Sequence, residues 1–198
     1  MPKSFRSQKE IHQWIGYTDI LASSLLVVML VAVVASLNNA TNRKPPLIKL
    51  TEAGSFRFGT GRYELSAEFR EEMDSLMPLI VDNIQKYGIN TVEVIGHTDG
   101  QPSSGASDLD LALTKFKEGT SFYSTTLRPG SNIDLGFLRA LSVASYIRES
   151  LKRRGLDPPQ IVPYSAGSLI NTEGKLSPAD TSSQSERRRI EIRFTRFQ

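Results

Sequence analysis

Two pairs of side chains in this sequence have types and spacing that could do chemistry. Asp99 follows the segment Thr91-Val92-Glu93-Val94-Ile95-Gly96-His97-Thr98, whose alternation predicts a strand over 91–96. It stands at a strand-to-loop exit, where α/β sheets present ligands. Arg139 falls within a predicted helix over Leu135–Arg154 but off its apolar stripe of Phe137, Ala140, Leu141, Ala144, Ile147 and Leu151. A carboxylate and a guanidinium held together suit a zwitterion, the one taking an ammonium and the other forking onto a carboxylate. A structural Asp–Arg pair, or a plain turn aspartate, fits the same residues equally well. The second pair is Asp19 and Ser23, one helical turn apart at the head of an apolar run. Asp19 reads either as a helix-terminal carboxylate wetted at an interface or as a membrane proton carrier, since ionisable groups beside a spanning helix mark ion paths.

The apolar run is Ile20–Leu37, which carries no charge. Eighteen helical residues cover about 27 Å, and the uncharged flanks extend that towards the roughly 30 Å of a bilayer core. A cleaved signal peptide has an apolar stretch of only about 7–15 residues, and here Glu10 and Asp19 precede the run. A retained single-pass anchor is therefore expected. Basic residues flank both ends, so charge does not orient it.

Composition closes off several classes. There is no cysteine, which removes disulfide frameworks, thiolate metal sites and cysteine nucleophiles. The only histidines, His12 and His97, are far apart, so no metal site is expected, and His97 reads as a strand-end residue serving the fold. A net charge of +3 is too small to imply nucleic acid. The basic tail, Arg187 to Arg196, alternates with Ile190, Ile192 and Phe194 and reads as one face of a strand. No nucleophile elbow, phosphate loop or paired-acid signature is present, so no enzyme activity and no cofactor are expected.

The elements that must position these residues are predicted as follows. A cytoplasmic N-terminus covers 1–14, the transmembrane helix 15–38 and a Pro45-Pro46-containing linker 39–49, with a folded domain over 50–198. Within the domain, Phe56 and Phe58 flank a first strand that ends at Gly59-Thr60-Gly61. A helix capped by Ser66 carries Phe69, Met73, Leu76, Ile80, Ile84 and Tyr87 on one face, with a kink or break at Pro78 and a stop at Gly88. Strand 161–164 is demoted to an edge by Pro163. Strands alternating with helices and a closing strand give a two-layer α/β sandwich.

Three sequence blocks resemble a known family. Val94-Ile95-Gly96-His97-Thr98-Asp99, then Asn132-Ile133-Asp134-Leu135 with Arg139-Ala140, then Arg187-Arg188-Arg189-Ile190-Glu191-Ile192 are similar to the OmpA-like peptidoglycan-binding domain. The resemblance covers about Leu50–Phe197. It implies that Asp99 holds the side-chain ammonium of diaminopimelate in the peptidoglycan stem peptide, that Arg139 holds its carboxylate, and that Asn132 and Leu135 shape the pocket wall. Gly136 departs from the family's serine, and Arg187 from its asparagine. An insertion, 101–131, separates Asp99 from Asn132; it includes a predicted helix at Leu109–Phe116, with a lid or a dimer contact as its candidate roles. Its carboxylates Asp108 and Asp110 are too few for a calcium loop.

Trp14-Ile15-Gly16-Tyr17-Thr18-Asp19 leading into the apolar run resembles the MotB class of stator subunits, in which that aspartate carries the proton. Together the resemblances imply a homodimeric, peptidoglycan-anchored B-type subunit of a proton-driven rotary motor in the bacterial inner membrane, N-terminus cytoplasmic and C-terminal domain periplasmic. They also imply a polytopic partner resembling MotA or ZorA. The short linker and compact length are closer to the ZorB family of Zorya anti-phage defence systems than to flagellar MotB. A flagellar or gliding stator, or a passive membrane-to-wall tether, are the alternatives.

Overall fold

A computed structural model describes residues 4–41, 45–52, 56–102, 105–108, 127–178 and 181–196. The chain divides into two compact units, Met1–Lys44 and Pro45–Gln198. The first contains one helix, α1, Ser4–Thr41. Its stretch His12–Leu37 is 26 residues long, with a mean hydropathy of 2.7 over its most apolar 18-residue window, and would extend about 39 Å at 1.5 Å per residue. That is long and apolar enough to cross a membrane, and its apolar side chains from Trp14 to Leu37 are all exposed. Two hydroxyls on this helix turn inward to the backbone: Thr18 donates to the carbonyls of Trp14 and Ile15, and Ser24 to that of Ile20. The helix persists past Leu37 because Asn38-Asn39-Ala40-Thr41 contains neither proline nor glycine.

The second unit is a two-layer α/β sandwich. In chain order its elements are β1 (Ile48–Thr51), α2 (Ala67–Tyr87), β2 (Thr91–His97), α3 (Asn132–Arg153), β3 (Gln160–Gly167) and β4 (Arg189–Thr195). The sheet order is β1-β4-β2-β3; β4 runs antiparallel to both neighbours, and β2 and β3 are parallel. Parallel pairing of β2 with β3 needs a crossover, which α3 supplies. Pro163 sits on the edge strand, as its missing N–H requires. One sheet face, with Val92, Val94, Ile190, Ile192 and Phe194, packs with Phe69, Met73, Met77 and Ile80 of α2 and Ala140, Val143, Ala144 and Ile147 of α3 into a single core.

The caps follow the sequence. Ser66 Oγ accepts from Phe69 N at 3.2 Å, and Gly88 closes α2 in the left-handed conformation at φ 58°. Ser131 caps α3 through Asp134 N, so that helix begins three residues earlier than Leu135.

Several expectations are corrected. The first strand is Ile48–Thr51, which begins within the stretch assigned to the linker and runs into the domain, and Phe56 and Phe58 are not in a strand. Their rings pack against Phe69, with centroids at 5.3 and 4.9 Å, so these aromatics serve the core from an irregular segment. Helix α2 runs through Pro78 without a break. Pro78 and Asp74, four residues before it, lie on the exposed side, where water can satisfy the carbonyl that proline leaves unpaired. The basic tail does form one face of a strand, exposed at Arg193 but covered at its other end. Arg189 and Glu191 are buried, because Asn171 and Arg187 fold over that end of the sheet and accept from Arg189. The helix expected at Leu109–Phe116, and Asp110, lie outside the described residues.

Candidate functional site

Asp99, Asn132, Leu135 and Arg139 line one cavity of about 190 Å³, together with Thr60, Gly61, Thr98, Gln101, Pro102, Ser183 and Arg188. Three features of the chain bring them there. Strand β2 ends at His97, so Thr98 and Asp99 leave the sheet beside the start of α3. Leu135 and Arg139 are one turn apart on that helix. Finally, β2 and α3 touch at a pair of glycines. A Cβ on Gly96 would lie 1.9 Å from the Gly136 carbonyl oxygen, and one on Gly136 would lie 2.5 Å from Ser165 Oγ. The obstacle at Gly96 is backbone, whereas at Gly136 it is a side-chain hydroxyl, with the Gly96 carbonyl oxygen at 3.1 Å.

Asp99 and Arg139 share the cavity, yet each is already paired with another residue. Arg188 Nη1 donates to Asp99 Oδ2, and Arg188 Nε donates to Glu52 Oε2, both at 2.5 Å. Arg139 Nη1 lies 3.3 Å from Glu52 Oε1. Glu52 thus bridges two guanidiniums. It reaches Arg188 because β1 and β4 continue their register one step beyond Thr51↔Arg189, with Glu52 N donating to the Arg188 carbonyl at 3.1 Å. Asp99 also accepts from Gln184 N at 3.1 Å and Gln101 N at 3.3 Å. The result is two carboxylates and two guanidiniums, formally neutral as a set, around a small cavity.

Arg139 requires a correction. Although off the apolar stripe, it is only 3% exposed. Tyr63 and Leu127 pack with Leu138 and Leu141 on α3, so that helix is buried on more than its sheet-facing side. The guanidinium donates from Nε to the Arg62 carbonyl at 2.9 Å and from Nη2 to the Gly59 carbonyl at 3.4 Å, and it lies 4.8 Å from the centroid of the Phe58 ring. Burial pulls its pKa below the usual arginine value, with Glu52 opposing the shift. At Arg188, burial also works against the charge, but hydrogen bonds to Glu52 and Asp99 outweigh it and the pKa rises. Asn132 is a brace as well as a lining residue: its Nδ2 donates to the Gln101 carbonyl at 2.8 Å and the Asp99 carbonyl at 3.4 Å.

Glu52 and Arg188 are the site residues that sequence reasoning missed. Arg188 stands inside a quoted motif without an assigned role, and nothing local marks Glu52. Only the strand register joins them. Asp19 and Ser23 lie one turn apart on α1, exposed on that helix, in the other unit of the chain.

On the opposite sheet face, His97 Nε2 stands 3.6 Å from Glu191 Oε1, beyond hydrogen-bond reach, while Arg193 Nη2 and Arg189 Nε donate to the Glu191 carboxylate at 2.7 and 2.9 Å. His97 first, then Arg193 and Arg189, hold the Glu191 carboxyl far below the ordinary carboxylate range. Among the described residues no group of three or more acidic or histidine side chains is placed to hold a metal.

No family model matches the chain, and no curated protein matches it. Solved structures do. A putative MotB-like protein from Desulfovibrio vulgaris is 18% identical over 76% of this chain and 75% of its own, with a TM-score of 0.46. The periplasmic domain of Helicobacter pylori MotB is 19% identical over 77% of this chain and 83% of its own, also at 0.46. The cell wall anchor of the T6SS from Pseudomonas aeruginosa is 20% identical over 76% and 81%, at 0.40. The fold is defined by the sheet order and helix packing described above, independently of these likenesses.

Proposed function

We propose that the chain is a peptidoglycan-anchored, B-type subunit of a proton-driven inner-membrane rotary motor, a binding and anchoring protein and not an enzyme. The observation that carries this reading is the charge-balanced set Glu52, Asp99, Arg139 and Arg188 around a cavity of about 190 Å³. Two charges of each sign suit a ligand that itself carries both. The cavity is smaller than the roughly 300–1,000 Å³ of sites that enclose a whole ligand, so it suits the end of a chain. The zwitterionic end of diaminopimelate has this chemistry: its ammonium would take a place beside Asp99 in exchange for Arg188, and its carboxylate would lie against Arg139. Thr98 Oγ1, buried and without a hydrogen-bond partner among the described residues, lines the same cavity and offers one more polar contact.

The motor half of the reading rests on α1. Asp19 and Ser23 share one face at the head of a membrane-length apolar helix, and one carboxylate on one helix completes no proton path without other helices. A second copy of this chain and a polytopic membrane partner supply them. The short stretch of sequence between Thr41 and Ile48 supports a ZorB-like subunit of a Zorya defence system over a flagellar one. The experiment is sedimentation of the full chain in detergent with purified diaminopimelate-type sacculi, with and without free meso-diaminopimelate. Co-sedimentation that the free amino acid suppresses is expected; a protein left in the supernatant would contradict the reading.

A further inference from the structure

Helix α1 carries a short polar stripe on one side. His12, Gly16, Asp19 and Ser23 are spaced i, i+4, i+7 and i+11, and at about 100° per residue they fall within an arc of about 60°. Farther along the same side come Leu30, Val34 and Leu37, so the stripe is confined to the N-terminal part of the membrane-length segment. Its side chains from His12 onwards are exposed.

The polar groups of this segment divide by position. Thr18 and Ser24 lie off the stripe, and their hydroxyls donate to backbone carbonyls about one turn earlier, at 2.7–3.0 Å. A hydroxyl satisfied in this way can face apolar surroundings. On the stripe, the Asp19 carboxylate and the Ser23 hydroxyl make no hydrogen bond or ion pair among the described residues. Gly16 leaves the helix bare between His12 and Asp19: a Cβ there would meet nothing within 4 Å. The two titratable residues stand about 10 Å apart along the axis. That is too far for direct transfer, but about two or three water molecules at ordinary hydrogen-bond spacing bridge it. Between them the sequence has one other titratable side chain, Tyr17, which is off the stripe. The chain's second histidine, His97, is buried in the other unit.

We infer that His12 is the proton-release group of the path through Asp19. This role presupposes the motor reading above and fills the cytoplasmic side of the path, which that reading leaves open. Imidazole is the side chain that takes up and loses a proton near neutral pH, and it can accept at one ring nitrogen while releasing from the other. The protonated Asp19 carboxyl gives its O–H proton to water lying over Gly16, and that water passes a proton to the unprotonated ring nitrogen of His12. The imidazolium so formed releases a proton from its other ring N–H to cytoplasmic water. Asp19 is left as carboxylate and His12 as neutral imidazole, with one proton moved.

The test uses inverted membrane vesicles from cells carrying the complete system, so that the outer medium bathes the cytoplasmic face. Proton flow out of an acid-loaded lumen is followed with a pH-sensitive dye, and vesicles bearing Asp19→Asn in the same medium give the baseline. His12→Ala should cut the Asp19-dependent flow by about a hundredfold, the lower end of what a positioned proton-transfer group contributes. Imidazole added to the medium should restore that flow, because a diffusible base can then take the proton at the vacated position. Asp19-dependent flow at the wild-type rate in His12→Ala overturns the relay, and so does a loss that imidazole fails to restore, which would mark His12 as structural. Absence of Asp19-dependent flow in wild type overturns the motor reading, and the relay with it.

Discussion

Replacing Arg139 by lysine keeps a positive charge but removes the planar fork that reaches Glu52 and the carbonyls of Arg62 and Gly59 together. Arg139→Lys should therefore weaken sacculus binding by about tenfold or more while the protein stays folded. Arg139→Ala is a different experiment. The side chain is buried, and its loss leaves Glu52 with one guanidinium in place of two, so stability should fall by about 3 kcal/mol, roughly 10 °C in Tm for a unit of this size. Thermal unfolding followed by circular dichroism distinguishes the two substitutions; an alanine variant as stable as wild type would contradict the buried network. At this scale the sequence was informative about which residues gather and silent about their partners. Asp99, Asn132, Leu135 and Arg139 do line one cavity. Glu52 and Arg188 were invisible because their pairing is a consequence of strand register between segments about 140 residues apart, and register is not a local property.

Helix α3 and strand β2 approach so closely at Gly96 and Gly136 that no side chain fits between them. Gly96→Ala should destabilise the domain by about 3 kcal/mol or more, since the clash is with backbone and cannot relax by a rotamer change; denaturant unfolding measures it. Strand β4 carries the pH dependence. Glu191 has a folded-state pKa far below that of an unfolded glutamate, so its stabilising contribution is present above about pH 4.3 and is lost as pH falls towards the folded value. Glu191→Gln should lower stability at pH 7 by about 2 kcal/mol and flatten the decline on acidification; an unchanged slope of stability against pH between 3 and 5 would contradict this assignment. Elements with strong local signals were legible: the Ser66 and Gly88 caps of α2, the stripe on α3 and the edge position that Pro163 imposes on β3. Strand β1 was not. It has four residues, Ile48–Thr51, too few to show a period, and the more conspicuous Phe56 and Phe58 drew the strand assignment although they pack on Phe69 from an irregular segment.

The molecule as a whole pairs a membrane-length helix bearing Asp19 with a domain whose cavity gathers two carboxylates and two guanidiniums. Both halves were legible because each rests on a strong pattern, an uncharged apolar run in one and ordered motif blocks in the other. The proposed use of both in a motor makes its own prediction. Asp19→Asn preserves size and hydrogen bonding but cannot exchange a proton. In cells carrying the complete system it should abolish protection against phage while leaving membrane insertion and partner co-purification intact. Full protection by that variant would leave a passive tether as the account of α1. The central claim, that one pocket reads both charges of diaminopimelate, is tested most directly by changing the wall and leaving the protein unaltered. Sacculi with lysine at the third stem-peptide position keep the side-chain ammonium that Asp99 would hold but lack the carboxylate that Arg139 would hold. Binding isotherms of the full chain on the two kinds of sacculi should differ by at least about tenfold in favour of the diaminopimelate type, and equal affinity for both would contradict the account.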